Sequence, residues 1–270
     1  MTSKPVWPKI RLGLIAALLV AAGCATVPLT GRSQVVILPD SQLAAMAFTE
    51  YQRVVAESTL SDDPRKVNMV RMVGLRLSVA AEQWLTQNGQ SVEGYDWEFN
   101  VIEEDTINAW CMPGGKVAFY TGMFKVARTD TDIAVVMGHE IAHAIARHGN
   151  ERMSQAILFQ IGAVSLAYAV REEPSETQAI FLAAYGIGGQ LGVLLPYSRL
   201  HEREADRIGL TIMAYAGYDP SAAIPFWQRM AAEGGARPPE FLSTHPAPQT
   251  RIDELRAFMP EAMAVYERNR

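Results

Sequence analysis

The chain has 270 residues, 49% of them hydrophobic and 20% charged, with a formal net charge of −5. That is enough apolar material to bury a sizeable core, which excludes a disordered chain, and the absence of basic clusters excludes a nucleic-acid binder. The chain reads as one globular domain of mainly helical α+β class behind a short leader.

Lys4, Lys9 and Arg11 precede an apolar run, Leu12 to Ala22, that ends in small residues at Gly23-Cys24. This pattern predicts a secretory signal peptide over residues 1–23, short for a membrane span. The stretch "LLVAAGC" also resembles a bacterial lipobox, in which Cys24 is lipidated and opens the mature chain, although Ala21 stands where leucine is favoured. The alternative is an ordinary signal peptide or an uncleaved anchor. Cys111 is the other cysteine; lipid on Cys24 leaves it unpaired, a reading preferred to a Cys24–Cys111 disulfide that ties a flexible terminus to the core. Removing residues 1–23 takes away three cations and no acid, so −5 becomes −8.

Residues 24–40 read as a lipidated tether with one apolar strand-like run ending at Pro39-Asp40, and 41–270 as the folded domain. Helical spacing covers 41–57 and 64–88, where Val67, Val70, Val73, Leu77 and Ala81 recur at three and four. Aromatic and β-branched residues then predict strands at about 97–103, 107–112 and 116–121, the last two forming a hairpin around Pro113-Gly114-Gly115. A helix of at least four turns follows, with Thr129, Asp130 or Thr131 as N-cap. Apolar runs at 157–170 and 179–195, split by "REEPSET", predict a helical hairpin within 153–195, packed on or near the functional site in preference to a membrane-inserted pair. Helices at about 198–216, 220–233 and 248–258 complete the chain, with a Gly/Pro-rich loop at 234–248.

The chemistry sits in "VVMGHEIAHAIARHGNER". On a helix turning 100° per residue, His139 and His143 lie about 40° apart and one turn along, so both imidazoles can grip one metal ion. Glu140 sits about 100° from His139, placed to lean over that ion, the HExxH arrangement in which the glutamate is a general base and the metal is Zn²⁺. Apolar residues cover every side of this helix, so it is expected to be buried, and buried imidazoles are costly unless something satisfies them. His148 falls about 180° round from His139 and is expected to face elsewhere. A metzincin needs glycine at 146 and histidine at 149, where this chain has Ala146 and Gly149.

A third ligand must therefore come from another helix, and "YSRLHEREADRIGL" offers two candidates about 50° from the centre of its apolar face, Glu202 and His201 on opposite flanks. Asp206 lies one turn beyond Glu202, suited to holding the free N–H of a ligating histidine. Glu204, about 110° from that centre, is expected in solvent.

"HEIAH" with "HGNER", then "LPYSRLHEREADRIGL", "NAWCMPGGKVAFYTGMF" and "STHPAPQTRIDEL" together resemble the HtpX / CAAX-prenyl-protease family of gluzincin zinc metallopeptidases, over about residues 25–258, and within it the bacterial periplasmic lipoprotein branch. Departures are Trp110 for phenylalanine, Cys111 in the strand, and Met123-Phe124 for two leucines. The resemblance implies a zincin-like fold, with a small β-sheet packed on the HExxH helix and a second ligand-bearing helix. It implies one Zn²⁺ per chain on His139, His143 and Glu202, with Asp206 supporting. His245 either steadies an oxyanion or occupies the water site at rest, its plain alternative being a helix cap. Arg251 either pairs with an acid or helps bind and polarise the substrate carbonyl. The strand Asn108–Met112, with Asn108, Ala109 and Trp110, is expected to pair with extended substrate. Unfolded or misassembled envelope polypeptides are the implied substrates, at the periplasmic face of the outer membrane, since Ala25 is not a retaining aspartate. The competing expectation is a chaperone-like assembly factor that uses the hairpin 153–195.

Overall fold

The computed structural model describes residues 24–189, 195–233, 239–246 and 249–270. The expected signal peptide and parts of the 234–248 loop lie outside the described residues.

Two short strands, β1 (Cys24–Thr26) and β2 (Ser33–Val35), pair antiparallel around a turn in which Leu29 and Gly31 both adopt positive φ. The segment expected as a tether is thus a hairpin with a buried Val27. Its continuation is fastened to the domain: Ile37 N–H donates to Ser154 Oγ (2.9 Å) and Asn150 Nδ2 to Leu38 O (2.9 Å).

Helices α1 (Asp40–Glu57) and α2 (Pro64–Gln87) follow. Asp63 caps α2 by accepting from Arg65 and Lys66 N–H, with Pro64 pre-setting the first turn. Strands β3 (Glu98–Ile102), β4 (Ala109–Met112) and β5 (Lys116–Tyr120) match the expected positions within two residues. Their order is β3-β5-β4, β5 running parallel to β3 and antiparallel to β4. The central β5 is buried from Lys116 to Phe119, as an inner strand covered on both faces requires. A 3₁₀ turn, Thr121–Lys125, leads to the HExxH helix.

That helix is α3 (Asp130–Ile145), started by Thr129 in a capping box with Asp132 and packed on α2, β4 and the second ligand helix, α6 (Leu195–Tyr215). The closest approach is between backbones, because Gly138 of α3 faces Gly209 of α6. Helix α6 stops at Gly217, whose φ of 70° lets its N–H reach Ala214 O while Tyr218 N–H reaches Met213 O.

Helices α4 (His148–Ala169) and α5 (Ser175–Gly189) form the expected hairpin, joined by the stacked rings of Phe159 and Tyr185. The start of α4 packs beside the functional site, with His148 Nδ1 2.9 Å from His143 Nδ1, while the rest of the described hairpin turns outward. Its buried α4 residues are confined to the first two turns, and Ile180 (69% exposed), Phe181 and Val164 face outward. Two helices apolar all round can bury only one stripe each against the other. No described helix is long and apolar enough to cross a membrane.

A 3₁₀ turn (Pro220–Ala222), α7 (Ala223–Ala232), a short α8 (Glu240–Thr244) that sequence patterning missed, and α9 (Gln249–Asn269) close the chain. Helix α9 runs through Pro260, eleven residues past its expected end, because Phe258 and Ala262 are buried on either side of the proline. Tertiary burial there outweighs a local cost of about 3 kcal/mol.

Candidate metal centre

Helix α3 brings His139 and His143 to one side, α6 supplies Glu202, and the residue after α8 is His245. One donor atom from each lies within 4.8 Å of all the others. His139 Nε2 is 3.1 Å from His143 Nε2, and Glu202 carboxylate oxygens stand 3.3 Å from each of those nitrogens. His245 Nδ1 is 3.0 Å from Glu202 and 3.2 Å from His139 Nε2. His201, the rival ligand, points away from this group and meets Glu151 at 2.8 Å.

Four donors converging with so little space between them fit a small borderline cation such as zinc, which takes imidazole and carboxylate ligands in a tetrahedral set. The electrostatics agree. Burial and Arg251 act to lower the pKa of His139, yet Asp206 and Glu202 overcome them and raise it to about 9. The carboxylates therefore favour positive charge at this point. Burial works against an ionised Glu202, but the surrounding imidazoles hold its carboxyl far below the usual range. Burial depresses His143, leaving a neutral ring suited to ligation. Glu140, also buried, has one oxygen, Oε1, without a hydrogen-bond donor; His245 Nε2 lies 3.5 Å from it. Burial raises the pKa of Glu140, as a proton-shuttling carboxylate requires.

Asp206 Oδ1 is 3.0 Å from His139 Nδ1, the geometry that leaves Nε2 facing the other donors. Arg251 grips Asp206 with two hydrogen bonds of 2.7 Å and lies 3.8 Å over the ring of Trp227. At 4% exposure it is buried against the carboxylates, pairing with Asp206 and standing 3.3 Å from Glu202, which is the first of its two expected roles. Trp227 and Phe241, which sequence reasoning did not single out, wall the site, with Trp227 edge-on to His139 at 5.5 Å. Their signal was only that of large apolar residues near helix starts.

Two more expectations are corrected. Helix α3 ends at Ile145, and Arg147 in the left-handed region (φ 59°) starts a new helix, so His148 does not lie opposite His139 but turns back to place its Nδ1 2.9 Å from His143 Nδ1. Glu204 is 3% exposed instead of solvated, with His148 Nε2 at 3.2 Å and Arg32 and Thr30 donating to it. The N-terminal hairpin covers the flank of α6 that helical geometry alone left open.

Strand β4 lies at the sheet edge beside α3. Tyr120 N–H bonds Asn108 O, so by alternation Trp110 and Met112 face β5, while the backbone groups of Ala109 and Cys111 face the open edge. Asn108 Oδ1 accepts the N–H of Ala109 (2.9 Å) and its amide donates to Glu240. The Trp110 indole packs edge-on to Tyr51 and bonds Tyr120 Oη. A cleft of about 400 Å³ joins this edge to the metal-facing residues, lined by Leu43, Tyr95, Cys111, Pro113, His143 and Arg147. Cys111 is a free thiol whose pKa burial pushes up.

Similarity to known proteins agrees with this geometry. The chain is 31% identical over 248 residues to the mitochondrial metalloendopeptidase OMA1 of Bos taurus, covering 89% of this chain and 47% of that protein. It is 38% identical over 173 residues to mitochondrial metalloendopeptidase OMA1 of Schizosaccharomyces pombe (63% of this chain, 49% of that one). It is 27% identical over 237 residues to the beta-barrel assembly-enhancing protease of Escherichia coli strain K12 (86% and 46%). The chain spans about half the length of these curated relatives. Residues 69–259, which hold the three strands, both ligand helices, His245 and Arg251, match peptidase family M48. With that match covering well over half of the sequence, the chain belongs to peptidase family M48.

Proposed function

We propose that this protein is a zinc-dependent endopeptidase of the bacterial cell envelope, anchored by lipid on Cys24 and cleaving misfolded or unassembled envelope proteins. The observation that carries the catalytic part is a buried His139–His143–Glu202 donor set with an orphaned Glu140 oxygen beside it. Support for the envelope setting is the signal-peptide and lipobox pattern at residues 1–24, together with a relative named for β-barrel assembly.

His139, His143 and Glu202 would hold zinc, which when bound would supply Lewis acidity toward a water, whose pKa it would lower toward about 7, and toward the scissile carbonyl. Glu140 accepts the water's proton at Oε1 as attack proceeds and returns it to the departing amine, a cycle suited to a carboxyl whose pKa burial raises. Asp206 holds His139 in one tautomer, and Arg251 holds Asp206. The open edge of β4, at the Ala109 carbonyl and the backbone of Cys111, pairs with extended substrate as an added strand, a mode that unfolded chains satisfy and folded ones do not. We assign His245 the resting role, since its Nδ1 faces the donor atoms and its Nε2 faces Glu140.

The test compares wild type with Glu140→Gln on an unfolded polypeptide, with and without chelator. Glu140→Gln loses about 10²- to 10⁴-fold in kcat while retaining one zinc per chain, and chelation abolishes wild-type activity. Equal activity in all arms overturns the assignment.

The exposed apolar hairpin favours a second reading, a chaperone-like assembly factor for outer-membrane proteins. Full complementation of a deletion strain by Glu140→Gln, with failure of a hairpin deletion, selects that reading.

A further inference from the structure

We propose that Arg32, from the N-terminal β1–β2 hairpin, is a positioning residue for the metal centre: acting through Glu204 and His148, it holds the ring of His143 with Nε2 toward the metal. The proposal rests on the zinc reading above.

The chain of contacts runs in one direction. His143 Nε2 faces His139 and Glu202, so its Nδ1 is the nitrogen that meets His148 Nδ1, at 2.9 Å. Two nitrogens at that distance need one proton between them. His148 Nε2 lies 3.2 Å from Glu204 Oε2, and an ionised carboxylate only accepts, so His148 carries its proton on Nε2. In a neutral ring so protonated, Nδ1 is a lone pair, and the shared proton belongs to His143 Nδ1. This leaves the Nε2 lone pair of His143 for a metal.

The arrangement requires Glu204 to stay ionised although buried, and Arg32 supplies the charge. Its Nε and Nη2 donate to the two Glu204 oxygens at 2.9 and 2.8 Å, and Thr30 Oγ1 donates to Oε1 at 2.8 Å. The same guanidinium makes two 2.7 Å bonds to Glu151, which also meets His201 at 2.8 Å. His148 and His201 stack at 4.3 Å, so the two carboxylates and two rings form one buried block closed by a single arginine. Each of the two ligand histidines of α3 thus has an arginine-held carboxylate behind it. His139 has Asp206 and Arg251 directly, and His143 has Glu204 and Arg32 through one further imidazole. Lysine cannot replace Arg32 fully, because one ammonium does not bond both carboxylates bidentately.

The experiment measures zinc dissociation constants by chelator competition, and metal-free melting temperatures, for full-length wild type, Arg32→Gln, Arg32→Lys, Thr30→Val and Arg203→Gln. Thr30→Val deletes one hydrogen bond to Glu204 and leaves no charge unpaired; Arg203 pairs with exposed Glu254 and is the control. Arg32→Gln is expected to weaken zinc binding about 10- to 100-fold, with partial rescue by lysine, a loss of about 3-fold in Thr30→Val and none in Arg203→Gln. The cobalt(II)-loaded variants shift their visible absorption bands in the same order. A lowered metal-free melting temperature with unchanged zinc affinity makes Arg32 a structural residue only and overturns the proposal. If Arg32→Gln does not fold, unchanged affinity in Thr30→Val overturns it equally. Wild type that binds no zinc shows itself before any variant is compared, and fails the underlying assignment together with this inference.

Discussion

Gly209→Ala tests what brings the two ligand helices together. A Cβ built at Gly209 lies 3.0 Å from the backbone C and O of Gly138 and from the N of His139; one built at Gly138 lies 3.1 Å from Gly209 O. Carbon contacts favour about 3.5–4.0 Å, so a methyl group here must push α3 and α6 apart by roughly 0.5–1 Å. The opposing atoms are helix backbone and cannot rotate away as the end of a side chain can. Alanine brings a helix-propensity gain of about 1 kcal/mol, whereas overpacking costs about 1–3 kcal/mol, so net destabilisation of up to about 2 kcal/mol is expected. Glu202 lies two turns before Gly209 and His139 follows Gly138, so the displacement opens the 3.3 Å contact between Glu202 and His139. Zinc affinity is expected to fall on the order of tenfold or more, because ligand placement tolerates only about 0.5 Å. Urea unfolding of the metal-free protein and chelator competition read the two effects. A variant stabilised by the full propensity gain, with unchanged zinc affinity, refutes the close-contact argument.

Three further outcomes are expected. Burial acts to raise the pKa of Glu151, but Arg32 and His201 hold it at about 2, so its contribution to stability is present above the ordinary carboxylate pKa and is lost as pH falls towards 2. The stability advantage of wild type over Arg32→Gln in urea melts should accordingly narrow below about pH 4.5; a constant difference from pH 7 to pH 3 contradicts this. Trp227→Ala removes a fully buried ring lying against Arg251 and His139 and should cost about 3–5 kcal/mol in the same melts, against which a loss below 1 kcal/mol would count. Since the carboxylates raise His139 to about 9, zinc binding at pH 7.5 should release close to one proton per metal, measured by calorimetry in buffers of different ionisation enthalpy; no release denies the charged resting state.

What could be read from the sequence was what depends on neighbours along the chain. The 40° offset of His139 and His143, the Asp206 position one turn after Glu202, and the β4–β5 hairpin around Pro113-Gly114-Gly115 follow from helix and turn geometry. Glu204 was misplaced because an amphipathic reading assumes one buried face, and α6 is covered on a second flank by a hairpin more than 160 residues away in the chain. His148 was misplaced because a left-handed non-glycine residue, Arg147, breaks the helix without a glycine or proline at the break. One signal was available: His148 and Glu151 are polar groups at the start of a long apolar segment, where burial demands partners. Which face of the hairpin turns outward was not legible for the opposite reason, since apolar residues on every side of α4 and α5 carry no directional information.

The distribution of charge around the metal-facing histidines explains why the site needs most of the chain. Glu140, Glu202 and Asp206 are buried with Arg251 as their near cation, an excess of negative charge that a divalent ion offsets and that a protonated His139 offsets only in part. Breaking a buried pair by removing one partner typically costs about 3–5 kcal/mol, so neither Arg251 nor Asp206 is independently dispensable. Arg251 arrives on α9 near one end of the sequence, while Arg32 arrives on the β1–β2 hairpin near the other. Helices α3 and α6 alone could hold the donor residues but would leave Asp206 and Glu204 without their guanidinium partners. A partly folded chain therefore lacks the field that orients the two imidazoles, and the hydrolytic centre proposed here forms only when both terminal regions have docked.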